Sequence, residues 1–348
     1  MTYSNVLGMH SEGQSVAVTR RGAMKIGAAG VSTIGISGCL VDDASGEYPS
    51  GTLEMIVPYD QGGATDAYSR IMANTLPEIL GESIEVNNQP GASSLLGVGQ
   101  VAQSDNDGYT LGSMNIPGTP VAYLGDSQEW ELTDLEYIST IGGWQFVILS
   151  NPDEDIDGID DLTERYESGE FTNIGGVSTG GEIHALALFL QEEGIVPWAE
   201  YIPYSSGGEA IQNVVSGEVP VALAGDVPSL ETVEDGQADI ICTFMEGGSP
   251  VYPDVPSLID EGYTEEEGVL DLLGGNTTAL FAPPGTSSEA VDTIMDAMEE
   301  AAESDEVSEW EQETQFNVDL RGPAETAEMV DDSLTEIPEV IDMDLLEE

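Results

Sequence analysis

Positive charge is what this chain has least of. Lysines and arginines number 6 against 67 aspartates and glutamates, and the formal net charge is −61. Such a polyanion repels nucleic acid and anionic lipid surfaces, so neither is an expected partner. Histidine and cysteine are scarce too, with 2 residues each. Two cysteines make no disulfide framework, and no Cys/His cluster has zinc-ligand spacing. The acidic loops lack the EF-hand pattern, so no metal or cofactor is expected. The chain has no G-x-x-x-x-G-K-[ST] and no G-x-S-x-G, and Gly97-Val98-Gly99 lacks the rest of a dinucleotide fingerprint. No run approaches the about 20 apolar residues of a membrane-spanning helix.

What is present argues for a folded chain. Hydrophobic residues make up 40% of it, with regular glycine and proline punctuation, which is more than a disordered polyanion carries. The acids are spread along the whole length and Lys25 is the only lysine, the composition of a halophilic protein. In 1 M salt the Debye length is about 3 Å, so repulsion between surface carboxylates is largely screened. The 348 residues suffice for two domains on a prior of about 150 residues each.

The first forty residues read as an export signal. Arg20-Arg21 precedes a mildly apolar run, Ile26–Ile36, and then Ile36-Ser37-Gly38-Cys39. The twin arginine indicates the Tat route. The last four residues resemble a lipoprotein box, which makes Cys39 a lipidation site anchoring the protein outside the cytoplasmic membrane; a simple signal with a chance cysteine is the other reading. Residues 1–38 are then the signal and 39–50 a tether. Removing the signal leaves Arg70, Arg165 and Arg321 as the strong cations. Cys242 sits in the apolar run Ala238–Phe244 and reads as a buried strand residue.

From Leu53 onward strand and helix patterns alternate. Leu53–Val57 reads as a strand; Tyr68, Ile71, Met72, Thr75 and Ile79 share one helical face, ended by Gly81, with Pro77 expected to kink the helix or start a new turn. Strands at 83–87 and 109–114 flank a helix at Leu95–Ala102, forming a βαβαβ unit with a mostly parallel sheet. A second series follows: strands at 144–150, 171–176, 201–204, 219–224 and 238–245, with helices at 182–193 and 209–215. A strand at 278–282 leads to a helix capped by Ser287 or Ser288, with Val291, Ile294, Met298 and Ala301 on its apolar face, and 325–346 gives a final acidic helical pattern. The description is two similar α/β lobes: 51–145 plus 280–348, and 146–279.

Tyr59-Asp60-Gln61-Gly62-Gly63-Ala64-Thr65-Asp66 joins the first strand to the first helix. Two glycines permit a sharp turn with inward amides, and Thr65 or Asp66 can cap the helix. Such a turn is either a plain βα connection or an anion site built from N–H groups and a helix end. Ser178-Thr179-Gly180-Gly181 repeats that order in the second lobe. Arg70, four residues after Asp66, reads as its ion-pair partner in preference to a ligand contact. His184 is the single possible imidazole base beyond the signal and lacks an acidic neighbour at triad spacing, so it reads as a pocket-wall or capping residue.

Ile56-Val57-Pro58-Tyr59 through Asp66 and Arg70 resembles the opening motif of the tripartite tricarboxylate transporter substrate-binding proteins, or Bug receptors. Asn88-Gln89-Pro90-Gly91-Ala92, Asp107 to Leu111, Pro203 to Gly208, Pro253 to Ser257 with Glu261-Gly262-Tyr263, and Phe281 to Thr286 resemble later blocks in the same order, over roughly residues 48–330. The resemblance implies a two-lobe, type II periplasmic-binding-protein fold with hinged lobes, acting without catalysis. It implies a receptor, expected to be a monomer, that captures a small organic carboxylate and delivers it to membrane transporter subunits. The ligand carboxylate would be held by Tyr59, Gly62, Gly63, Ala64, Thr65 and Asp66. Ser178, Thr179, Gly180 and Gly181 would face them, with His184 inside the second helix and Asn115 and Asp226 bordering the cleft. Gly181 where the family often has serine, the charge of Glu182, and the lack of an arginine near Met245-Glu246-Gly247 set the ligand's distal end apart. A ligand-binding sensor, a secreted hydrolase using His184 and a structural surface protein are the alternatives.

Overall fold

The first helix shows how the apolar pattern becomes structure. In the computed structural model, which describes residues 48–126 and 128–346, β1 (Leu53–Val57) is followed by α1 (Ala64–Leu80). Tyr68, Ile71, Met72 and Thr75 are buried, while Ile79 is half-buried. Each full burial of such an apolar side chain is worth about 1.5–3 kcal/mol, enough to hold the helix through Pro77. The helix stops at Gly81, left-handed at φ 77°, whose N–H donates to the Pro77 carbonyl. The export signal, Cys39 and most of the tether lie outside the described residues.

The chain continues as β2 (Ile84–Asn88), α2 (Leu95–Ala102), β3 (Thr110–Ile116), α3 (Gly118–Gly125) and β4 (Glu136–Ser150). Then come α4 (Ile159–Glu167), β5 (Asn173–Val177), α5 (Glu182–Glu192), β6 (Glu200–Tyr204), α6 (Gly207–Val215), β7 (Val221–Gly225), α7 (Asp226–Glu234) and β8 (Asp239–Thr243). The last elements are α8 (Glu267–Leu273), β9 (Gly275–Ala282), α9 (Ser288–Ala302), α10 (Asp305–Thr314), β10 (Asn317–Val318), α11 (Gly322–Thr335) and α12 (Ile337–Val340).

Two parallel groups, β2-β1-β3 and β7-β5-β6, are joined through antiparallel β9 and β4. β4 carries the chain from one lobe to the other: up to Gln145 it pairs with β9, and from Phe146 with β7. The return crossing is at Gly274–Gly275, where the Gly274 carbonyl accepts from Phe146 N–H at 2.7 Å. The apolar run beginning at Trp144 shows only the second half of β4. Its first half carries Ser139 and Thr140, both fully buried, with hydroxyls bonded to backbone at Gly322 and at Asp319 and Arg321. At Gly142 a Cβ would overlap the Asn317 carbonyl, so β10 approaches β4 where only glycine fits.

Two apolar clusters sandwich the first lobe's sheet, one with α1 and α9 and one with α2 and α11. The second lobe has a cluster under α4, α5 and α8 and another under α6. The final acidic pattern, expected as one helical stretch of the first lobe, is divided. Val330 of α11 packs in the first lobe, whereas Ile337, Ile341 and Leu346 join the second lobe's core. Val121 of α3 does the same, so the lobes are in contact beside the hinge strands. Cys242 is buried in β8.

Candidate functional site

The first glycine loop is held from behind by one carboxylate. Gly62 takes the left-handed conformation at φ 92°, while Gly63 is extended at φ −78° and serves as the N-cap of α1. Gly63 brings no side chain to the cap, so neither Thr65 nor Asp66 is the capping residue itself. Asp66, one turn into the helix, reaches back: its Oδ2 accepts from Gly62 N–H at 2.9 Å and from Arg70 Nε at 2.8 Å. Its Oδ1 accepts from Asn88 Nδ2 at 2.8 Å, and the same amide nitrogen donates to the Tyr59 carbonyl at 3.0 Å. Arg70 completes the ring by donating to Asn88 Oδ1 at 2.8 Å. Asp66 is 2% exposed. Burial pushes its pKa up, but the bonds from Arg70, Asn88 and Gly62 outweigh that and hold it below the usual carboxylate range.

This network spends the Gly62 N–H on the protein's own carboxylate. The amides of Gly63, Ala64 and Thr65 open the helix and have no intrahelical acceptor. Thr65 Oγ1 donates to Asn115 Oδ1 at 2.9 Å, and Thr278 Oγ1 donates to the same oxygen at 3.3 Å. Asn115 is thereby fixed at the end of β3. Tyr59 places its hydroxyl 3.4 Å from Thr119 Oγ1, which lies 2.9 Å from Ser94 Oγ. Burial, reinforced by the charge of Glu182, pushes the Tyr59 phenol up to about 12, so it stays a neutral donor.

The second loop has its own brace. Ser178 is left-handed at φ 50° and donates its N–H to the Tyr204 carbonyl at 2.9 Å. His184 Nδ1 accepts from Gly180 N–H at 3.2 Å, which puts the ring proton of the neutral form on Nε2. The ring lies 4.5 Å from that of Tyr201, centroid to centroid, and burial lowers its pKa. His184 is therefore a neutral brace for the loop, holding Gly180 one residue before the N-cap Gly181, as Asp66 holds Gly62 in the first loop. Thr179 and Gly181 complete the turn into α5, and a Cβ on Gly180 would lie 3.1 Å from the Leu346 carbonyl.

Asp226 lies at the end of β7, 2% exposed. Its Oδ1 accepts from the N–H groups of Gln145 and Val227, at 3.2 and 2.7 Å, and its Oδ2 accepts from Ser249 Oγ at 2.7 Å. Burial raises its pKa against those bonds. Asp226 thus ties the crossing point of β4 to α7, and it also borders a cavity of about 560 Å³ with Pro117, Trp144, Asn276 and Thr277. Neither glycine loop borders that cavity. Sequence reasoning missed Asn88 as a brace and Asn276 as a cleft residue. Asn88 lies in a family-like block, which was a usable signal; Asn276 has none.

Each arginine among the described residues is paired with a carboxylate: Arg70 with Asp66, Arg165 with Asp161 and Glu170, and Arg321 with Asp319. Among the described residues no group of three or more His, Cys, Asp or Glu is placed to hold a metal ion. No helix of the described residues is long and apolar enough to cross a membrane.

Two α/β lobes joined through β4 and β9, each with a braced glycine loop, have the architecture of the periplasmic-binding-protein type. A family model described as tripartite tricarboxylate transporter family receptor matches residues 68–344. The chain belongs to that family of extracytoplasmic receptors. It is 29% identical over 285 residues to protein BugT of Bordetella pertussis, covering 80% of this chain and 84% of that protein. Its fold is similar to MatC of Rhodopseudomonas palustris with bound malate, at TM-score 0.67 and 23% identity, over 84% of this chain and 99% of that one. It is also similar to an R. palustris protein with adipate, at TM-score 0.70 and 18% identity, over 85% and 98%.

Replacing Asp66 with asparagine leaves the shape and removes the charge that gathers Gly62, Arg70 and Asn88. The expected loss at neutral pH is about 1–2 kcal/mol, discounted for the partly exposed arginine. Because the folded-state pKa is depressed, this contribution is fully present above the unfolded value of about 3.9 and fades as pH falls through the lower folded one. Urea melts of parent and Asp66→Asn should therefore differ at pH 7 and converge in strong acid; a constant gap would refute the assignment.

Proposed function

We propose that the cleft binds a small organic carboxylate through backbone amides and neutral side chains, without catalysis, for delivery to a tripartite tricarboxylate-type transporter. The observation that carries this is the pairing of every described arginine with a carboxylate of the chain. An anion is then left to the helix-opening amides of Gly63–Thr65 and of the Ser178–Gly181 turn, with Tyr59 and Asn115 as neutral donors. The malate and adipate bound by the two R. palustris proteins support the ligand class. The lobes, 51–145 with 275–335 and 146–274 with 337–346 packed against it, close over the ligand about the β4 and β9 crossings.

Thermal-shift screening in molar salt against mono-, di- and tricarboxylic acids tests the reading. At least one acid should raise the melting temperature of the parent and have a smaller effect on Asp66→Ala; a panel with no shift would refute it.

The export signal makes the protein a lipid-anchored receptor on the outer face of the cytoplasmic membrane, through Cys39. In the native host, Cys39→Ser should move the protein from the membrane fraction to the medium; an unchanged distribution would exclude the anchor.

Finally, the charge of −61 requires screening for the fold to persist. Far-ultraviolet circular dichroism should collapse on dialysis from molar to millimolar salt, and an unchanged spectrum would rule out halophilic adaptation.

A further inference from the structure

Glu182 stands between the lobes. It is the first residue of α5, directly after the second glycine loop. Its Oε1 accepts from Asn276 Nδ2 of β9 at 2.9 Å. Asn276 Oδ1 in turn accepts from Gly118 N–H at 3.3 Å. A Cβ added to Gly118 would lie 3.1 Å from Glu182 Oε2, so the second oxygen is packed against the turn that opens α3. The carboxylate belongs to the second lobe, and these partners belong to β9 and the first lobe. Its charge is also felt at Tyr59, on the first glycine loop.

We propose that Glu182 determines specificity, filling from within the chain the place between the lobes that a ligand's second carboxylate would need, so that the receptor accepts monocarboxylates and rejects di- and tricarboxylates. The inference rests on the carboxylate-receptor reading above and narrows it. Three observations converge on it. A second carboxylate at the amides of the Ser178–Gly181 turn would stand against Glu182, and like charges at contact distance in a partly desolvated cleft repel strongly. Asn276, a neutral donor bordering the cavity, is already bonded to Glu182. The described arginines that could offset a second negative charge are all bound to other carboxylates. A ligand with a hydroxyl, ammonium or apolar group at that end meets no such penalty, because Glu182 is an acceptor.

The alternative is that Glu182 merely ties the lobes together. Glu182→Gln separates the two, since glutamine keeps an oxygen for Asn276 and loses only the charge. Calorimetry in molar potassium chloride would use pairs of equal carbon number that differ by one carboxylate: butyrate and succinate, 2-hydroxybutyrate and malate, 2-aminobutyrate and aspartate. The parent should favour the monocarboxylate in whichever pair binds. Glu182→Gln and Glu182→Ser should both shift that ratio about tenfold toward the dicarboxylate, equivalent to roughly 1.4 kcal/mol. A parent that prefers the dicarboxylate overturns the proposal with no variant needed, and so does a ratio unchanged in folded Glu182→Gln. A parent that binds none of the six acids, while other monocarboxylates also fail, removes the receptor reading and this inference together.

Discussion

The scarcity of cations is the constraint on which the rest of this structure depends. Each arginine among the described residues is paired with a carboxylate, and the Arg70–Asp66 pair shows the consequence most clearly. Elsewhere an arginine in a binding cleft could face an anion. Here it is turned onto Asp66 and Asn88, where it helps hold the first glycine loop. A buried carboxylate with one guanidinium, one side-chain amide and one backbone N–H is well satisfied, and removing any partner leaves the others exposed to its desolvation cost. The loop is therefore braced by the chain's own side chains, an arrangement that lowers the ordering cost of binding.

The same logic governs the hinge. Asp226 in the second lobe holds the N–H of Gln145, at the residue where β4 changes partner from β9 to β7. Tyr68 of the first lobe donates its hydroxyl to the Gly143 carbonyl at 2.7 Å and stacks near Trp144. The crossing strand is thus gripped on both sides, two residues apart. The C-terminal segment adds a third link, since α11 packs on the first lobe and the residues after it on the second.

Much of this was legible in the sequence because it is local. The apolar face of α1, the extent of α2 and the buried face of α9 follow from side-chain periodicity, and the ordered family-like blocks identified the two-lobe fold. The first half of β4 was hidden because Ser139, Thr140, Gly142 and Gly143 interrupt the apolar pattern, and their burial makes sense only once β10 lies alongside. The division of the C-terminal helical pattern was hidden because the same acidic amphipathic periodicity serves either lobe. At the site, the Asp66–Arg70 pair was readable from its spacing. The bond from Asn276 to Glu182 joins residues 94 positions apart and could not be read.

Range ties these features together. In molar salt a field from an exposed charge decays over about 3 Å, so a distant lysine or a diffuse positive surface would contribute little to capture or choice of ligand. What survives screening is contact: an N–H pointed at an oxygen, or a carboxylate placed where another carboxylate would have to sit. Backbone amides satisfy that condition. Glu182, in the proposed role, would satisfy it with the opposite sign, from a position where its oxygens meet Asn276 of β9 and the turn opening α3. The proposed attraction at one loop and the proposed refusal at the other can therefore coexist in a protein whose overall charge would forbid either a long-range anion trap or a long-range filter.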